Sequence, residues 1–348
     1  MTEYIVKESN LTEFFQAVSQ NRTLLSPVGQ GEKCRLEPTT PDKIKLDFAN
    51  THLSPKASFF PQTERLLAFH KDKSLPNSNV YQDLGDKAQD CVLFGLRPCD
   101  AKGLTVANKV FQNDRFVDPY WKGKYEKALK IGLACLKPSP QCFCAAVGGS
   151  PFGEQGLDVL AYVKEGGLGL KTLTEAGEAL IKSTKAESAS LSNEIQKLEQ
   201  EAYGLQKAEK DSYKVITERD LMEVYNDPHW PFTAENCLNC GVCTFFCPTC
   251  HCFDIQDEQS EKGGVRMRNW DTCMSSLFTL HASGHNPRPT KVERVRQRFM
   301  HKLKYIPIKQ DGVFGCTGCG RCVVMCPVNI DIRDVAAKMC RPTQTAKV

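Results

Sequence analysis

Cys237-Leu238-Asn239-Cys240-Gly241-Val242-Cys243-Thr244-Phe245-Phe246-Cys247-Pro248 and Cys316-Thr317-Gly318-Cys319-Gly320-Arg321-Cys322-Val323-Val324-Met325-Cys326-Pro327 repeat one pattern, Cys-x-x-Cys-x-x-Cys-x-x-x-Cys-Pro. Sixty-eight residues separate Cys247 from Cys316. Three thiolates two residues apart lie on one tight loop and can grip three irons of a cubane, while the fourth leaves the loop as the next segment starts. In two-cluster proteins with this spacing the fourth cysteine serves the other cluster. The pattern therefore predicts one [4Fe-4S] cluster on Cys237, Cys240, Cys243 and Cys326, and a second on Cys316, Cys319, Cys322 and Cys247. It also places the two loops side by side despite the long insert. Gly241, Gly318 and Gly320 give the backbone freedom such a loop needs, and Pro248 and Pro327 redirect the chain after the last ligand. Zinc is the competing reading, but structural zinc takes two Cys-x-x-Cys pairs rather than tight triplets with a fourth Cys-Pro.

The rest of the composition agrees. A chain of 348 residues buries a core without staples, so its 18 cysteines need another explanation than fold stability. Charged residues at 25% and hydrophobic ones at 41% are ordinary for a soluble globular protein. The stretch Met1-Thr2-Glu3-Tyr4-Ile5-Val6-Lys7-Glu8 has no basic leader followed by an apolar run, and no run of about 18 apolar residues follows. The expectation is a cytoplasmic chain in a reducing compartment, with no membrane span and with thiols available as metal ligands. A net charge of +4 is too small to argue for nucleic acid.

Residues 1–184 read as a mixed α/β domain. Leu11 to Val18 fits a short helix with Asn10 at its N-cap. Val92 to Leu96, Leu129 to Ala134 and Val159 to Val163 are apolar runs that fit buried strands, and Thr174 to Ile181 fits a helix. Residues 185–225 read as a helical connector, with Leu191, Ile195, Leu198, Ala202 and Leu205 forming one apolar stripe that packs on the chain's own core. Residues 226–348 hold both motifs. Helical patterns at Val292 to Tyr305 and Ile332 to Met339 suggest an α-helical ferredoxin-like domain, so the fold class is α+β.

A second set of cysteines lies in the first half. Cys99 follows one apolar strand, Cys135 ends the next, and Cys142 and Cys144 sit on a Pro-rich loop. If the strands are parallel neighbours, their C-terminal ends share one sheet edge, where α/β folds build sites. Four thiols could then meet on one cubane; the alternative is a set of unrelated buried thiols. Cys34, Cys91 and Cys340 read as ordinary buried thiols. Cys250, Cys252 and Cys273 read as lone thiols or donors to cluster sulfur, with a further metal site as the alternative. Arg288, Lys291, Arg294, Arg296, Arg298, Lys302 and Lys304 form a basic run read as a solvated helix face, against the alternatives of offsetting cluster charge or docking an acidic partner. His281, His285 and His301 lack a paired ligand spacing. No dinucleotide, P-loop or nucleophile-elbow motif is present, so electrons are expected to enter and leave through partner subunits.

The chain resembles the family of iron–sulfur subunits found in anaerobic sulfite reductase and, as the β subunit, in cytoplasmic sulfhydrogenases. The residues that carry the resemblance are Phe59-Phe60-Pro61-Gln62-Thr63-Glu64, Gly95-Leu96-Arg97-Pro98-Cys99-Asp100, Cys142-Phe143-Cys144, Cys237 through Cys252, Asp271-Thr272-Cys273-Met274, Gly284-His285-Asn286 and Cys316 through Pro327. The resemblance implies a third [4Fe-4S] cluster on Cys99, Cys135, Cys142 and Cys144. It also implies a place between a flavoprotein subunit that handles NAD(P)H and a catalytic or second iron–sulfur subunit of an anaerobic oxidoreductase. The expected role is single-electron relay without catalysis; the alternative is an N-terminal cluster that is itself catalytic toward a sulfur substrate.

Overall fold

The computed structural model describes all residues except 1, 30–33, 73, 75–78, 85–87, 207 and 343–348. The last six residues of the 226–348 unit therefore lie outside the described residues. The strands are β1 (Glu3–Lys7), β2 (Thr23–Val28), β3 (Arg35–Pro38), β4 (Thr63–Lys71), β5 (Asn79–Asp83), β6 (Cys91–Leu96), β7 (Ala128–Leu133), β8 (Val159–Lys164), β9 (Gly167–Thr172), β10 (Glu187–Ala189), β11 (Phe253–Ser260) and β12 (Gly263–Trp270). They form an eight-stranded sheet in the order β10-β1-β9-β8-β7-β6-β2-β3 and a four-stranded sheet in the order β11-β12-β4-β5.

The centre of the large sheet is parallel, with β2 beside β6, β6 beside β7 and β7 beside β8. Its strands are apolar on both faces because both are covered. On one face Val92, Phe94, Ile131 and Val159 meet Phe14 and Phe15 of helix α1 (Leu11–Val18). On the other, Leu93, Leu96 and Leu160 meet Leu104 and Phe111 of α2 (Pro98–Phe111) and Trp121 of α3 (Pro119–Lys127). The expected strands and the helix at Leu11–Val18 are thus present, although Asn10 makes no side-chain capping bond. Helix α4 (Glu175–Lys182) is capped by Thr174, whose hydroxyl accepts from the Gly177 amide at 3.1 Å.

The connector differs in part from expectation. Helix α5 covers only Ser192–Gly204. Leu191, Ile195, Leu198 and Ala202 join the core of the large sheet, but Leu205 is exposed. Beyond it come short helices at Val215–Glu218 and Leu221–Tyr225.

The insert between the motifs is not wholly helical. Residues Phe253–Trp270 form a long hairpin, β11 and β12, whose inner strand pairs with β4 from the first half of the chain. A buried charge cluster fixes this junction. The Arg268 guanidinium bridges Glu64 on β4 and Asp118 at the start of α3, and Glu64 also receives Lys124. Removing one partner of a buried ion pair leaves the rest uncompensated, at a cost of about 3–5 kcal/mol. Arg268→Ala should therefore lower stability by about 3 kcal/mol in anoxic chemical denaturation. A loss below about 1 kcal/mol would mean that the strand ladder alone holds the hairpin.

Candidate metal centres

The two Cys-rich loops turn in the left-handed region at glycine: φ is 75° at Gly241, 66° at Gly318 and 74° at Gly320. Short helices follow at Val242–Phe245 and Arg321–Val324. Cys237, Cys240, Cys243 and Cys326 line one cavity, so the fourth cysteine of the second motif reaches the first motif's loop. Cys247 lines a second cavity with Cys316, Cys319 and Cys322. Cys322 and Ile332 border both, so the cavities are neighbours. Among the eight motif thiols only Cys240 belongs to an exposed residue.

The N-terminal four also converge. Arg97, directly after β6, sends its guanidinium across the ends of the parallel strands: Nη1 donates to the carbonyls of Leu133 and Ala134 at 3.1 and 2.7 Å. Arg97 thereby lies near both Cys99, on the first turn of α2, and Cys135, just past the end of β7. The Cys142 thiol accepts from or donates to Ser139 at 3.1 Å, and it lies near enough to act electrostatically on Cys99, Cys135 and Cys144. Burial pushes the Cys135 thiol up to about 11 and those of Cys144 and Cys319 up to about 12. Metal coordination deprotonates such thiols outright.

This set abuts the second cavity. Phe143 N donates to Gly318 O at 2.9 Å, and a Cβ on Gly318 would fall 2.4 Å from the Cys144 nitrogen. The Cys142 thiol is 3.9 Å from Cys319 O. Arg321 and Asp100 clamp the junction as a buried bidentate pair at 2.5 and 2.7 Å, while Arg321 Nε donates to Thr51 O at 2.8 Å. A separate opening lined by Cys99, Lys102, Cys144, Tyr203, Asp211 and Thr317 leads from this set toward the surface.

The basic run is where the structure corrects the sequence most. Arg294, Arg298, Lys302 and Lys304 are buried, not a solvated face. The first three are spaced by four along helix Lys291–Met300 and its π-helical continuation His301–Tyr305, so they share its inner side. Lys304 caps the carbonyls of Ile216, Thr217 and Arg219. Arg298, 3% exposed, borders both cavities, and Lys302, 2% exposed, borders the second. Among the described residues no carboxylate pairs with either. Burial opposes the charge of Lys302, yet the sulfurs of Cys247 and Cys250 hold its pKa above the ordinary lysine range.

These donors fit a cubane. Five cysteines border the first cavity, counting the shared Cys322, and four the second, and a cluster held by four thiolates carries net negative charge that a buried cation offsets. Arg298 Nε and Nη1 and the Thr317 hydroxyl are buried with no hydrogen-bond partner among the described residues, as expected of groups that face cluster sulfur. No three His, Cys, Asp or Glu of the described residues close on a single ion; cubane ligands instead grip separate irons.

The remaining thiols divide. Cys34 is buried, whereas Cys91 and Cys340 are only partly so. Cys252 and Cys273 contact each other at the open end of the β11–β12 hairpin, where Asp271 N donates to Cys252 O at 3.0 Å. Cys250 lies against Cys247. His281 and His285 meet edge to face at the surface at 5.3 Å, and His301 meets His251 edge to face at 5.8 Å. Burial holds the latter pair neutral, at about 3 and about 4. Sequence reading missed Lys56, which is buried, stands 4.0 Å over the Trp270 ring and donates to Cys250 O at 3.1 Å. It also missed the Arg321–Asp100 clamp, although both residues directly neighbour motif positions.

Gly318→Ala should cost at least about 1–2 kcal/mol through its left-handed backbone alone. It should also speed alkylation of Cys144 in the anoxic protein, because the clash parts the two loops; an unchanged rate would show that they do not depend on this contact.

Comparison with known proteins agrees with this geometry. A family described as "4Fe-4S dicluster domain" matches residues 236–330. Sulfhydrogenase 2 subunit beta of Pyrococcus furiosus is 29% identical over 323 residues, covering 92% of each chain. No solved structure matches significantly. Residues 236–330 are thus similar to the 4Fe-4S dicluster family, and nearly the whole chain is similar to a sulfhydrogenase β subunit.

Proposed function

We propose that this chain is an electron-transfer subunit that relays single electrons through [4Fe-4S] clusters. The observation that carries this reading is the crossed set of thiols. Cys326 stands with Cys237, Cys240 and Cys243, and Cys247 with Cys316, Cys319 and Cys322. These eight are the proposed ligands of two clusters, and Cys99, Cys135, Cys142 and Cys144 those of a third. When bound, such a cluster supplies a one-electron couple that protein surroundings tune between roughly −700 and +450 mV. The contiguity of the sites supports relay: the first two share Arg298, the second abuts the third at Gly318, and the first reaches the surface at Cys240.

The reading of the chain as an N-terminal α/β unit (1–184), a connector (185–225) and an α-helical ferredoxin-like unit (226–348) accompanies this proposal, with the four-stranded sheet straddling the first and last. The partners are a flavoprotein subunit linked to NAD(P)H and a catalytic or second iron–sulfur subunit of an anaerobic, cytoplasmic oxidoreductase complex. The name of the relative, a β subunit of a sulfhydrogenase, supports a multisubunit setting. Among the described residues no helix is long and apolar enough to cross a membrane.

One observation favours a second reading, in which the N-terminal set is catalytic toward a sulfur substrate: the opening beside Cys99 and Cys144. Reduction of sulfite or a disulfide by the isolated chain with an artificial donor would support it.

Anoxically purified protein should contain about twelve irons per chain under the three-cluster reading, and about eight if the N-terminal set holds none. Cys99→Ser should change the EPR signal or iron content of one cluster only. An unchanged spectrum and iron count would remove Cys99 from the ligands, and clusters that no low-potential dye reduces would end the relay reading.

A further inference from the structure

Arg298 occupies a position that the cluster motifs do not specify. It lies on the inner side of helix Lys291–Met300, and its guanidinium borders the cavity of Cys237, Cys240, Cys243 and Cys326 as well as that of Cys247, Cys316, Cys319 and Cys322. One donor is accounted for: Nη2 gives a 2.7 Å hydrogen bond to Cys243 O. Nε and Nη1 are buried with no partner among the described residues. An unpaired buried guanidinium N–H is costly to leave unmade, about 1–3 kcal/mol or more for a charged group. The charge also falls on thiols of both sets, on Cys243 in the first and on Cys247, Cys316 and Cys322 in the second.

We propose that Arg298 is a shared potential-setting residue, donating N–H bonds toward sulfur of both dicluster centres and tuning the two together. The inference rests on the cluster reading above and assigns a role to a residue outside the ligand motifs. Hydrogen bonds to cluster or thiolate sulfur and nearby positive charge stabilise the more negative, reduced state, and so raise the potential. A single cation between two centres does this for both and keeps their potentials close. Lys302 is the internal contrast. Its ammonium borders only the second cavity and donates to the Thr249 hydroxyl. Arg298 is held by the backbone of the first motif; Lys302 is not.

The test is a redox titration of the cluster EPR signals in the full-length anoxic protein, with iron counted for each variant. In Arg298→Lys, which keeps the charge but loses the fork of donors, two midpoint potentials should fall. In Lys302→Gln a single one should fall. Arg298→Lys with full iron and unchanged potentials, or with only one shifted, would overturn the proposal. A readout independent of the potentials uses protein labelled with 15N-arginine. Pulsed EPR should detect, at both dicluster centres, an arginine nitrogen coupling that Arg298→Lys removes, distinct from that of Arg321 beside Cys319. Coupling confined to one centre, or absent from both, would also overturn it. Protein that holds no cluster would instead fail the cluster reading on which the proposal stands, and iron analysis reports that separately.

Discussion

The structure depends on how one interior accommodates two neighbouring cysteine-lined cavities with buried cations between them. Four thiolates around a cubane leave net negative charge, and a charge taken out of water costs several kcal/mol unless it is paired. Here cations without carboxylates line or approach the cavities. Arg298 and Lys302 face the dicluster cavities, and Lys56 reaches the backbone of Cys250 from the other half of the chain. Without clusters these are charges in a core with no carboxylate beside them; bound clusters would make them counterions. Arg321, by contrast, does have a carboxylate: Asp100 neutralises it at the junction with the N-terminal thiols. It works as a clamp, because its charge is already spent on its partner.

The same logic explains what could be read from sequence. The crossed thiol sets follow from spacing, because three ligands on one loop leave the fourth to come from elsewhere. The central strands were legible because a parallel strand covered on both faces is a plain apolar run, as in Val92-Leu93-Phe94. Strand β11 was not: Phe253-Asp254-Ile255-Gln256-Asp257-Glu258-Gln259-Ser260 is exposed throughout, and its sheet is completed by β4, about 190 residues earlier in the chain. The basic run misled for a different reason. The spacing of four between Arg294, Arg298 and Lys302 was visible, but like charges on one helix face are ordinarily assigned to water. What draws Arg298 and Lys302 inward is the sulfur of the two loops, which the helix itself does not encode.

Backbone proximity sets the close arrangement of the sites. Gly318 and Gly320 let the second loop press against residues 141–144, and Gly103 lets α2 approach Pro248, where a Cβ would stand 2.7 Å from the proline ring. Each contact joins a Cys-rich loop to the N-terminal half. The expected separation of an α/β unit from a cluster unit therefore describes sequence order better than it describes the cores, since Phe143, Ala146 and Val147 pack in the same core as Trp230, Phe299 and Met339.

A consequence for assembly follows. The groups that position the motif loops come from widely separated segments: Thr51 and Asp100 hold Arg321, Lys56 holds the carbonyls of Thr244 and Cys250, and Thr249 binds Gly315 O at 2.6 Å. The contacts of Thr51, Asp100 and Lys56 exist only once the N-terminal half and the C-terminal loops have come together, whereas that of Thr249 joins the two motif segments themselves. Metal binding to such a site contributes directly to folding free energy. Conversely, the folded chain without clusters must carry Arg298 and Lys302 as buried cations with no carboxylate beside them. Were clusters to fill these cavities, their insertion and the closure of the two halves would be one coupled equilibrium, because the buried charges that oppose closure of the empty chain would favour closure of the loaded one.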